Sequence, residues 1–229
     1  MPLHPHQQRL RDGHTVIAVN LGGRNPDVMG ALARGGAHIA FVDCERSGIG
    51  LDAATDLIRA AKVAGLSPMV RSWSPDPAVL VQYLDRDADG LIIPHIDTAR
   101  QAAEAVEVVR YACGDRAADK SVIVQIETGQ SVKNIDEIMA VEGIDAFLIG
   151  PNDLAYSLTG RRGISTPEVT AAIDQVSARL KAAGRRFGMP ANWQQLAHFQ
   201  ARGATLLYFP IEWLLERALG DLGSQLGLR

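Results

Sequence analysis

The stretch SVIVQIETGQSVKNIDEIMAVEGIDAFLIG, Ser121 to Gly150, reads as one strand–helix–strand unit. SVIVQIE is a short run rich in β-branched residues, as a buried strand is. SVKNIDEIMAVEG then places apolar residues at three- and four-residue intervals and stops on Gly143, the pattern of an amphipathic helix with a glycine end. AFLIG is a second apolar run. A strand that returns to a parallel neighbour needs a crossover, which is usually helical, so the unit predicts a parallel sheet covered by helices.

The same alternation extends outward in both directions. TVIAVNL, HIAFVDC, SPMVRSW and GLIIPHI precede it as strands, and RFGMPAN and TLLYFPI follow. Helical patterns lie between them, including LDAATDLIRAAKVAG, TARQAAEAVEVVRYA and TPEVTAAIDQVSARLKAAG. Asn25-Pro26 and Thr166-Pro167 mark helix starts, and Gly65, Gly184 and Gly203 mark stops. An open doubly wound sheet would usually carry G-x-G-x-x-G after its first strand, whereas NLGGRNPD has only a glycine pair. Eight strand–helix units in 229 residues instead predict a single (β/α)8 barrel over 1–229, with 1–13 as an N-terminal extension.

Composition narrows the function. A net charge of −3 gives no basic surplus for nucleic acid or an anionic membrane, and no run is long and apolar enough to span a bilayer. The opening MPLHPHQQRLRDG lacks the apolar core of a signal peptide, so a cytoplasmic location is expected. Cys44 and Cys113 match no zinc spacing and are expected as reduced thiols.

In a barrel the chemistry collects where strands end. Strand 2 ends in Asp43, Cys44, Glu45 and Arg46, strand 3 in Arg71, strand 4 in His95, and strand 5 in Gln125 and Glu127. Strand 6 ends in Asn152 and Asp153, and strand 7 in Asn192. Glu127 and Asp153 suit a divalent cation that keeps waters and substrate oxygens, or else they cap the helices that follow. Arg71 either holds an oxyanion or pairs with Asp43 or Glu45. His95 is a proton carrier or a wall residue. Lys62, Lys133 and Lys181 fall in helices and Lys120 precedes strand 5 at the wrong mouth, so no lysine is available for a Schiff base. Serine or cysteine nucleophiles are poorly supported, with no G-x-S-x-G and no evident base for Cys44 other than His95.

In order, FVDCERSG, PMVRSWSPDP, YLDRDADGLIIPHID, IVQIETGQSVKN, VEGIDAFLIGPNDLA and TPEV resemble the segments of the HpcH/HpaI aldolase family, the class II pyruvate-type aldolases. The resemblance runs from about residue 14 to the C-terminus, and VQIET and GPNDL are its most specific pieces. It implies a (β/α)8 barrel that uses Mg2+ or Mn2+, with Co2+ or Zn2+ as alternatives, to cleave a 4-hydroxy-2-oxo acid to pyruvate and an aldehyde. Carried over by position, Glu127 and Asp153 are metal ligands and Arg71 stabilises the pyruvate enolate. The backbone N–H groups of Asn152 and Asp153 receive the substrate carboxylate, and Gln125 lines the metal-bound oxygens. Asp85 matches an acid that reaches the site, often across a subunit interface. The resemblance also implies a homo-oligomer, trimer or hexamer, with the last helix, EWLLERALGDLGSQLGLR, exchanged between subunits.

Two departures stand out. The family's D-x-E-H, in which Asp43 would support a histidine base, reads DCER here, and Arg46 cannot accept a proton. The family's long Arg-Gly loop before strand 5 is replaced by YACGDRAADK. Three functions follow from this: a lyase using His95 or a hydroxide on the metal as base, an oxaloacetate-type decarboxylase with Arg46 on the distal carboxylate, or a barrel that only binds a 2-oxo acid.

Overall fold

The computed structural model describes residues 4–163 and 165–228. Eight parallel strands close in sequence order: β1 Val16–Asn20, β2 Ile39–Asp43, β3 Ser67–Arg71, β4 Gly90–Ile93, β5 Ser121–Ile126, β6 Ala146–Ile149, β7 Phe187–Pro190 and β8 Leu206–Pro210. β8 returns to β1, with Val16 beside Leu206 and Asn20 beside Pro210, so no strand edge is left open. The helices are α1 Pro5–Arg11, α2 Met29–Arg34, α3 Leu51–Val63, α4 Pro77–Leu84, α5 Ala99–Cys113, α6 Gly129–Lys133, α7 Ile135–Met139, α8 Pro151–Thr159, α9 Pro167–Ala182, α10 Leu196–Arg202 and α11 Ile211–Gln225.

Side chains alternate across a strand, which divides the core in two. Val16, Ala18, Ile39, Phe41, Met69, Ile92, Ile123, Ala146, Leu148 and Leu206 fill the barrel. Their neighbours Ala40, Val42, Val70, Leu91, Ile93, Val122, Val124 and Phe147 face the helices. Counting on by two from the inner set reaches Asn20, Asp43, Arg71 and Gln125 at the strand ends. The parity that packs the barrel therefore also aims these polar residues into its mouth.

The expected strands lie where the sequence placed them, while the helices differ in three places. Residues 131–143, expected as one helix, form α6 and α7 with a break at Asn134, whose side-chain amide donates to the Asp97 carbonyl at 2.7 Å. That tie to a neighbouring loop is set by tertiary position. α8 was not expected; Pro151 begins it and Gly160, in the left-handed conformation, ends it. Part of the 1–13 extension is α1, which lies under the barrel. Buried His6 sits between the Ser67 and Ser121 hydroxyls at 2.7 and 2.9 Å, and Leu10 joins the barrel interior.

Candidate active site

A cavity of about 390 Å3 opens at the C-terminal mouth, with Phe41, Arg46, Arg71, Gln125, Asn152, Asp153, Arg162 and Tyr208 in its wall. Asp43 and Arg71 form its fixed part. Arg71 donates from Nε to Asp43 Oδ1 at 2.9 Å and from Nη2 to Oδ2 at 2.6 Å, a two-point pairing that locks the guanidinium plane. Its remaining terminal nitrogen is 3.1 Å from Glu45 Oε2. Asp43 also accepts from the Glu45 and Arg46 backbone N–H groups and from Asn20 Nδ2. Burial opposes the Asp43 charge, but Arg71 and these donors outweigh it, and the carboxyl is held below its ordinary range. Asn20 Nδ2 donates on to the Tyr208 hydroxyl at 2.8 Å.

Glu127 is in a different state. Only 1% exposed, it accepts from the His95 backbone N–H at 2.8 Å and from Gln125 Nε2 at 2.5 Å. No lysine or arginine pairs with it among the described residues. Burial, with Glu45 and Asp153 nearby, pushes its carboxyl above the ordinary range. Gly150 packs closely beside it: a Cβ there would lie 3.0 Å from both Glu127 Cβ and Oε2, so a larger residue would press on this carboxylate. Gln125 Oε1 is buried and has no donor among the described residues. An acid with no strong counter-charge, next to an unsatisfied amide oxygen, is a chemical fit to a hard cation. Among the described residues no three His, Cys, Asp or Glu side chains cluster as an all-protein metal cage. Such a cation would therefore retain water or substrate oxygens in its shell.

Asp153 lies on the first turn of α8, where the Asn152 and Asp153 N–H groups precede the first intrahelical bond, Leu154 N–H to Gly150. Two arginines meet its Oδ1: Arg46 Nη2 at 2.9 Å and Arg162 Nη2 at 2.7 Å. His95 has φ 58°, a left-handed backbone uncommon for a non-glycine residue. Its imidazole stands at the rim, Nδ1 3.4 Å from Glu127 and Nε2 3.7 Å from Glu45, and is not in the cavity wall.

Asp43, Arg46, Arg71, Gln125, Glu127, Asn152 and Asp153 thus come together, with His95 beside them. Asp85 does not: it caps the C-terminal end of α4, at the opposite face of the barrel. Asn192 accepts from the Gln195 N–H and closes a local turn. Cys44 is buried, and burial pushes its thiol up to about 11, which leaves it a poor nucleophile. Lys120 is buried at the N-terminal end, bonded to the Ala88 carbonyl and Asp87. Sequence reasoning missed Tyr208 and Arg162. The inward parity of β8 could have signalled Tyr208, whereas Arg162 follows the unexpected α8.

The profile of the HpcH/HpaI aldolase/citrate lyase family matches residues 17–207. A hydroxypyruvate/pyruvate aldolase of Pseudomonas aeruginosa is 30% identical over 98% of this chain and 93% of its own. A 2-keto-3-deoxy-L-rhamnonate aldolase of Escherichia coli O9:H4 is 29% identical over 82% of this chain and 79% of its own. The crystal structure of an HpcH/HpaI aldolase/citrate lyase family protein from Burkholderia cenocepacia J2315 superposes with a TM-score of 0.87 at 27% identity, covering 96% of this chain and 98% of that one.

Proposed function

The chain belongs to the HpcH/HpaI aldolase/citrate lyase family and is a lyase of the aldolase kind, and from that premise we propose that it cleaves a 4-hydroxy-2-oxo acid to pyruvate and an aldehyde. The observation that carries this reading is Arg71, a cation in the cavity wall fixed at two points by buried Asp43. When the C3–C4 bond breaks, its electron pair forms the pyruvate enolate, the C4 hydroxyl loses its proton, and the aldehyde leaves. The enolate then takes a proton at C3. Arg71 is pre-oriented to stabilise the enolate oxygen without reorganising during the reaction. Glu127 and Asp153 would hold Mg2+ or Mn2+, which when bound supplies Lewis-acid polarisation of the 2-oxo group. The free N–H groups of Asn152 and Asp153 face the substrate carboxylate, and Gln125 completes the wall. His95 is the histidine available to accept the C4 hydroxyl proton, and Glu45 and Glu127 would balance the charge it gains.

One observation favours a second reading. Arg46 lines the cavity and His95 does not, so the side chain best placed in the wall is one that cannot act as a base. Decarboxylation of a 2-oxo diacid passes through the same enolate and requires no base at a C4 hydroxyl. Pyruvate release from a panel of 4-hydroxy-2-oxo acids and from oxaloacetate, with Mg2+ or Mn2+, tests both. Turnover of a hydroxy acid supports the lyase, and release from oxaloacetate alone supports the decarboxylase. No release from any of them, with metal demonstrably bound, would overturn both.

The proposed assembly is a trimer or hexamer. It is supported by Leu215, Leu219 and Leu222 on α11 and Leu226 at its C-cap, all more than half exposed and spaced by three and four. Asp85 would then serve a neighbouring subunit's site, since it is remote from its own.

A further inference from the structure

The proposed reaction ends with a proton delivered to C3 of the enolate, and none of the residues assigned to that reaction supplies it. Arg46 and Arg71 keep their protons at any working pH, the Gln125 and Asn152 amides are not acids, and the His95 imidazole stands outside the cavity wall. Tyr208 is the wall residue that carries a phenolic O–H.

Its setting follows from β8. Tyr208 pairs in register with Ala18 of β1 and Pro190 of β7, one inward layer below Asn20 and Pro210. The phenol therefore rises from the packed interior toward the polar layer at the mouth. Its ring meets Phe41 edge-on, with centroids 4.8 Å apart, and Arg71 Cζ lies 5.5 Å from the centre of that same Phe41 ring. One aromatic ring thus seats both the phenol and the guanidinium.

The hydrogen bonds decide what the hydroxyl can do. Asn20 Oδ1 accepts from the Gly22 N–H at 3.0 Å, which fixes the orientation of the amide. Its two Nδ2 hydrogens then go to Asp43 Oδ2 at 3.2 Å and to the Tyr208 oxygen at 2.8 Å. Tyr208 is the acceptor in that bond, and its own hydrogen meets no acceptor among the described residues. Burial, with Asp43 and Glu212 nearby, outweighs Asn20 and Arg71 and raises the phenol above its ordinary range, so it enters the reaction protonated.

We propose that Tyr208 is the catalytic acid that protonates the enolate at C3. The oxygen lone pair re-forms the C2 carbonyl, the C2–C3 π pair forms the new C–H bond, and the Oη–H bond breaks with its electrons left on Tyr208. Asn20 Nδ2 and the nearby Arg71 charge hold the phenolate until water returns its proton. In reverse, the phenolate oxygen removes a C3 proton from pyruvate. The proposal rests on the enolate that the lyase and decarboxylase readings share, with its carboxylate at α8 and its other end extended across the cavity toward β8.

The test is exchange of the pyruvate C3 hydrogens in D2O with Mg2+, read by mass spectrometry, beside calorimetric titration with oxalate. Tyr208→Phe retains the ring against Phe41 and removes only the hydroxyl. It is expected to slow exchange about 100-fold or more, the low end for general acid–base catalysis, with oxalate affinity within about threefold of wild type. Unchanged exchange in the variant would overturn the proposal, as would a wild type that binds pyruvate and exchanges none of its C3 hydrogens. A loss of exchange matched by an equal loss of oxalate affinity would make Tyr208 a binding residue and overturn it too. Failure of the lyase reading is separate: exchange that depends on Tyr208, without cleavage of any hydroxy acid, removes that reading and supports this one. Cleavage of a hydroxy acid with exchange unaltered in Tyr208→Phe does the reverse.

Discussion

His6 offers a prediction whose size follows from its surroundings. It is fully buried beneath the barrel, with both ring nitrogens within hydrogen-bond distance of serine hydroxyls on β3 and β5. Burial, with His4 and His38 nearby, pushes its pKa from 6.5 down to about 3. The unfolded chain therefore binds the proton first. Stability falls as pH drops below the unfolded value and continues to fall until the folded value is reached. Between pH 7 and pH 5 the loss from this one group is about 2 kcal/mol, and by pH 3 it reaches about 4 kcal/mol. His6→Gln cannot titrate, so it should be less stable at pH 7, by about 1 to 3 kcal/mol for the altered buried hydrogen bonds, yet less sensitive to acid. Thermal unfolding followed by circular dichroism at pH 7 and pH 5 measures this. The wild-type midpoint should fall further than the variant's, by about 4 to 8 °C for a chain of this size. Equal falls would refute the reasoning and mean that His6 is solvated or protonated in the folded protein.

Three further outcomes follow from the site and the surface. Arg71→Lys exchanges a fork for a point charge and should lower kcat about 100- to 1000-fold, with KM changed much less, in the pyruvate-release assay. Glu127→Gln retains the shape and the oxygen that accepts from His95 but removes the charge; calorimetric titration with Mn2+ should show at least a tenfold weaker site, and unchanged affinity would exclude Glu127 as a ligand. Leu219→Glu places a charge in the exposed leucine stripe of α11 and should reduce the mass measured by light scattering to that of a smaller species; an unchanged assembly would place the interface elsewhere.

Much of the site was legible because barrel packing and site geometry share one period. The alternation that sends Phe41 inward also sends Asp43 inward, and the same holds for Met69 with Arg71 and Ile123 with Gln125. What stayed hidden lay outside that period. Arg162 occupies a loop whose position depends on where α8 ends, and α8 is announced only by Pro151 and Gly160 in a stretch of modest apolar pattern. The break between α6 and α7 comes from Asn134 bonding to Asp97, 37 residues away in sequence. His95 was legible as a strand-end residue, but its rim position depends on a left-handed backbone held by a bond to Glu127.

By itself the sequence determined a parallel eight-stranded barrel and the polar set at its mouth, because strand alternation and helix periodicity are local properties written in residue order. Only the tertiary structure decided how those charges are partnered: Asp43 neutralised by Arg71, Glu127 left buried with no lysine or arginine among the described residues, and Arg46 joined to Arg162 through Asp153. Burial and distance set the energy of a charge, and neither exists until strands far apart in sequence close into one mouth.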